Sequence, residues 1–126
     1  MKGKLFILIA AAGCFLLVSG PALAHHGSTA YDMTTLTTVT GTVTDFELIN
    51  PHSLISVKVK GDKGKDEIWT AENDSAGALV RQGWTRDMLK PGDEISITGY
   101  RTKNRANLMR LESIIMPNGQ KITPQR

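Results

Sequence analysis

At 126 residues, with 15 Lys and Arg against 12 Asp and Glu, the chain is long enough for one domain and too short for several. Two of the basic residues are Lys2 and Lys4. Without them the count is 13 against 12, so bulk charge gives no reason to expect nucleic acid or an acidic membrane as partner. The single cysteine, Cys14, precedes the folded part, which excludes a disulfide framework.

Residues 1–24 read as a signal peptide. Lys2 and Lys4 form the positive start, Leu5 to Val18 the apolar run, and Ser19-Gly20-Pro21 the helix break before an Ala22-Leu23-Ala24 cleavage box. The run is too short, and too soon followed by breakers, for a membrane span. Ala11-Ala12-Gly13-Cys14 has the outline of a lipobox, but Ala11 stands where Leu is usual and the apolar run continues past Cys14. The expectation is therefore export to the periplasm with cleavage after Ala24, lipidation at Cys14 being the weaker alternative. The mature chain, His25 to Arg126, has 102 residues.

Residues 25–38 read as a polar N-terminal arm, with the first strand covering Thr37 to Leu48. There Val39, Gly41 and Val43 alternate with threonines, the pattern of a half-buried strand. Gly41 predicts a bulge or tight bend. Asn50-Pro51 predicts a turn, because the residue before proline is pushed out of the helical region. Strands follow at Leu54 to Lys60 and Asp66 to Glu72, joined by a Gly61-Asp62-Lys63-Gly64 hairpin. A short helix over Ser75 to Gln82 is closed by Gly83. Lys90-Pro91-Gly92-Asp93 is a tight turn. Strands over Glu94 to Thr102 and Leu108 to Met116 come next, and Lys121 to Thr123 has room for a short last one after Asn118-Gly119. Three strands, a helix and two strands predict an all-β fold with one short helix, a small five-stranded OB-like Greek-key barrel over residues 39–126.

Ala24-His25-His26-Gly27, Tyr31-Asp32, Gly41-Thr42-Val43, Ile49-Asn50-Pro51-His52, and Gly83-Trp84 through Leu89-Lys90-Pro91-Gly92-Asp93 together resemble a family of small exported bacterial proteins that constitute a domain of unknown function. Leu48 and Leu54 depart from that pattern, since aromatic residues are expected around the Asn-Pro-His turn. The resemblance implies export and a small β-barrel, and no established activity.

The chain has three histidines, His25, His26 and His52. Cleavage after Ala24 would give His25 a free amine beside its own imidazole, a chelating pair that His52 would complete, with His26, Asp32 or Tyr31 finishing or orienting the site. A nitrogen-rich set suits Cu(II), with Zn(II) second. The expected metal ligands are His25, His26, His52 and Asp32, and the expected role is metal carriage or sequestration without turnover. The competing reading keeps His52 as a turn residue and the histidine pair as a plain terminus. The protein is then a periplasmic module that binds a non-metal ligand or an unknown protein at Asn50-Pro51-His52. A copper oxidoreductase would further need an open coordination position and a substrate cleft.

Other chemistry is thinner. Arg101, Lys103, Arg105 and Arg110 lie around one loop, but oligonucleotide sites also need stacking aromatics, and Phe46, Trp69 and Trp84 read as core. Asp45, Glu47 and Glu72 read as outward strand residues rather than an acid–base pair. No Ser-His-Asp or Cys-His arrangement can be assembled.

Overall fold

The computed structural model describes residues 28–126. The signal peptide, Cys14, the cleavage box, His25 and His26 lie outside the described residues. A 3-10 turn at Ser28–Ala30 leads into β1 (Tyr31–Glu47), β2 (Leu54–Lys60) and β3 (Asp66–Glu72). Helix α1 (Ala76–Arg81), β4 (Glu94–Thr102), β5 (Leu108–Ile115) and β6 (Lys121–Ile122) complete the order. No helix among the described residues is long and apolar enough to cross a membrane.

The six strands form one sheet in the order β3-β2-β1-β4-β5-β6, and β3 also pairs with β5. All neighbours are antiparallel except that last pair, a parallel seam joining Thr70 to Leu108, Ala71 to Met109 and Glu72 to Arg110. The chain therefore does not form the expected five-stranded OB-like Greek-key barrel. It forms one six-stranded sheet in which β3, β2, β1, β4 and β5 make a ring closed by a parallel seam of three residue pairs, with β6 added outside the ring on β5.

The first strand also starts earlier than its sequence suggests. Tyr31 is buried and stands opposite Thr102 of β4, and the register then slips before Leu36 meets Tyr100. Burial of one aromatic draws a polar stretch onto the sheet, which apolar alternation alone does not show. Along the rest of β1 the threonines face outward and form a ladder with β4. Thr38 meets Thr98 at 2.8 Å, Thr40 meets Ser96 at 2.6 Å, and Thr42 donates to Glu94 at 2.6 Å. Such cross-strand pairs fix register on a solvated face. A bulge separates Val43 from Asp45, two residues beyond Gly41.

Inside the ring, Ile55, Val57, Ala71, Ile97, Met109, Leu111 and Ile114 are fully buried. Helix α1 adds Leu79, and the segment after it adds Trp84 and Leu89 to the same core. Ser75 caps the helix, its hydroxyl accepting from the Ala78 amide at 3.4 Å. At the other end Gly83, with φ of 90°, donates to the Val80 carbonyl, and Trp84 donates to Leu79. That left-handed closure reverses the chain and drives the Trp84 ring against Phe46, with centroids 5.9 Å apart.

Candidate functional site

The loop between β1 and β2 is stapled to the segment between β3 and α1. Ser53, fully buried, donates its hydroxyl to the Ile49 carbonyl at 3.2 Å and its amide to Asp74 at 3.0 Å. The Asn73 amide returns a bond to the Ser53 carbonyl at 2.8 Å, and Ala76 donates to Ile49 at 2.9 Å. The Asn50–Pro51 peptide within this loop is cis. These backbone bonds set His52 beside the end of β3.

There the imidazole Nδ1 of His52 lies 3.2 Å from Oε1 of Glu72, and the Tyr31 hydroxyl donates to Oε2 of the same carboxylate at 2.5 Å. Glu72 thus joins the first residue of β1 to the turn histidine. Burial raises the Tyr31 hydroxyl above the usual phenol range, and the hydrogen bond and negative charge of Glu72 push it further. The hydroxyl stays protonated and remains a donor across the physiological range.

This trio borders a cleft of about 360 Å³ whose wall also includes Ala30, Asn73, Asp74, Thr102, Leu108, Arg110 and Arg126, a volume within the range of small-ligand sites. Asn73 is 3% exposed. Its Oδ1 accepts from the Asp74 amide at 2.8 Å, whereas its buried Nδ2 has no hydrogen-bond partner. Arg126 is held by Glu112 at 3.6 Å and donates to the Leu111 carbonyl.

Of the expected metal ligands, the structure places two, and it does not bring them together. His52 borders the cleft, but Asp32 does not. One residue beyond Tyr31, strand alternation turns Asp32 to the other side. Its carboxylate accepts from the Thr34 amide at 3.1 Å and hydroxyl at 2.5 Å, and Arg105 approaches to 4.0 Å. Those bonds to Thr34 hold Asp32 below the usual carboxylate range. Among the described residues no group of three or more His, Cys, Asp or Glu could hold a metal ion; the expected site draws His25 and His26 from outside them.

Glu72, Asn73 and Arg110 are the site residues that sequence reading passed over. Glu72 does lie on the opposite face of β3 from Trp69 and Ala71, as an outward residue should, but Tyr31 and His52 cover that end of the strand. Arg110 belongs to β5 rather than to a loop tip. Arg101, from the same basic group, stacks over Trp69 with its guanidinium carbon 4.7 Å from the ring and bonds the Ala106 carbonyl. Asp45 and Glu47 are exposed.

Residues 14–109 match the model of a family of unknown function, DUF6152. No curated protein matches the chain.

Proposed function

The chain belongs to this family of unknown function, and we propose that it is a binding module without turnover of its own, taking a small polar ligand into the cleft between His52 and Arg110. The observation that carries this reading is the Glu72 carboxylate, fixed by Tyr31 at 2.5 Å and paired with His52 at 3.2 Å on the wall of a 360 Å³ cleft. A polar wall held by its own hydrogen bonds loses little freedom when a ligand arrives. Export would place this module in the periplasm.

A low-mass extract of the cell envelope, added to ¹⁵N-labelled mature protein, tests the site without naming the ligand. Amide shifts confined to residues 30–31, 52, 72–74, 102 and 108–110 support the reading. Shifts at Trp69 and Arg101 instead, or none, sink it.

One observation favours a second reading, carriage or sequestration of Cu(II), or of Zn(II), by His25, His26 and His52. Metal-bound imidazoles commonly pair their other ring nitrogen with a carboxylate, as His52 does with Glu72. Ala30 lines the same cleft and is five residues from His25, a reach of at most about 17 Å at roughly 3.3 Å per residue. Against it stands the Arg110 guanidinium on the same cleft, a positive charge with no carboxylate ion pair among the described residues, which disfavours a dication beside it.

A further inference from the structure

We propose that the cleft recognises a carboxylate, gripped by the Arg110 guanidinium and by Nδ2 of Asn73. The inference rests on the cleft being the binding site, and it names the chemistry of what binds there.

Arg110 stands opposite Glu72 in the parallel seam, but Glu72 is already committed to Tyr31 and His52. Among the described residues no carboxylate forms an ion pair with Arg110. A half-buried guanidinium beside a cleft, with its nearest strand partner engaged elsewhere, is a fork of donors awaiting two coplanar oxygens. Asn73 supplies a second donor on the same cleft. Its carbonyl end is spoken for by Asp74, which fixes which atom is the amide nitrogen, and that nitrogen is buried without a partner. Native structures rarely leave such a donor unmade, and a ligand oxygen is one way to satisfy it.

Charge narrows the class. Arg110 and Arg126 share the cleft wall with Glu72 and Asp74, and Arg126 is partly neutralised by Glu112. The residual field is weak, which suits one carboxylate better than a doubly charged phosphate. The cleft volume sets the ligand as a small organic acid.

The test titrates mature protein with propionate, butyrate, inorganic phosphate and propylamine, following the Asn73 side-chain amide and the Arg110 Nε signals by NMR. Propionate or butyrate should shift both signals. Arg110→Gln should weaken that binding at least tenfold, and Arg110→Lys, which keeps charge but loses the fork, should fall between. Phosphate binding as tightly as the carboxylates, propylamine binding in their place, or undiminished binding by Arg110→Gln overturns the assignment. So does the absence of any shift with either carboxylate. Should Arg110→Gln fail to fold, Arg110→Lys carries the comparison, and binding equal to wild type overturns the assignment. If the envelope extract shifts the cleft residues while neither acid does, the carboxylate assignment falls and the binding site stands. If neither shifts them, both fall.

Discussion

Glu72 and Arg110 face each other in the seam that closes the sheet, yet Glu72 gives its carboxylate to Tyr31 and His52. The acid that would neutralise the seam arginine instead ties the start of β1 to the turn after it. Closure of the ring and construction of the cleft are therefore one event: residues 70–72 meet residues 108–110, and the polar groups of both strands end on the same wall.

Tyr31→Phe should cost stability. The ring's burial is kept, since Tyr31 is 6% exposed, and the one group lost is the hydroxyl bonded to Glu72. Hydrogen bonds to charged groups contribute about 1.5–3 kcal/mol. The partial exposure of Glu72 places the expected loss near the lower end, about 1–2 kcal/mol. Urea unfolding of the two proteins at neutral pH measures it, and equal midpoints would show that the bond adds nothing.

The same bond predicts a pH dependence. The Tyr31 hydroxyl is raised by burial first and by Glu72 second, so the folded state keeps a proton that the unfolded chain releases near the ordinary phenol value of about 10. Folding then binds more protons than unfolding leaves in place. The Tyr31 contribution is complete below about pH 10 and is lost as pH rises above it, by up to about 1.4 kcal/mol per unit. Stability measured from pH 8 to 11 should fall more steeply for wild type than for Tyr31→Phe. Parallel curves would place no titration at Tyr31.

Two glycines separate close approach from helix propensity. A Cβ at Gly41 would sit 2.1 Å from the Lys58 carbonyl oxygen, a clash with backbone that no rotamer change relieves. Gly41→Ala should force β1 from β2 and cost about 2–3 kcal/mol. Gly77, exposed in α1, meets nothing closer than an Arg81 side-chain nitrogen at 3.6 Å, so Gly77→Ala should stabilise by about 0.5–1 kcal/mol. Thermal unfolding reads both. A neutral Gly41→Ala would mean that the strands can part without penalty.

How far the sequence discloses this molecule depends on which physical signal a residue carries. β2, β3 and β4 are legible residue by residue, because Ile55, Val57, Trp69, Ile95 and Ile97 alternate with polar neighbours. The Asn-Pro turn and Gly83 are legible because their backbone restrictions are local. The stretch Tyr31 to Leu36 is not, since its pairing depends on Thr102 and Tyr100 far along the chain. The site divides in the same way. His52 stands out as a turn histidine, but its partner Glu72 looks like any outward strand acid until Tyr31 covers it. Asn73 and Arg110 come together through the parallel seam, and no periodicity in either segment announces which strand the other will meet.

The metal reading has its own decisive measurement. Mature protein beginning at His25 would be titrated with Cu(II) and, separately, Zn(II), beside one carrying an extra Ala before His25, a His52→Ala variant and an Asp32→Ala variant. If His25 and His52 share an ion, the extra Ala and His52→Ala should each weaken Cu(II) binding at least tenfold. Asp32→Ala should leave it unchanged, because Asp32 is held by Thr34 away from the cleft. Binding should also weaken in acid, because the nitrogen ligands must be deprotonated to hold the metal. Glu72→Gln adds a finer outcome: loss of the carboxylate beside Nδ1 should lower affinity about 10- to 100-fold if Glu72 orients a metal-bound ring. Equal, weak Cu(II) binding by all of these proteins would remove the metal reading and leave His52 as part of the wall that holds an organic ligand.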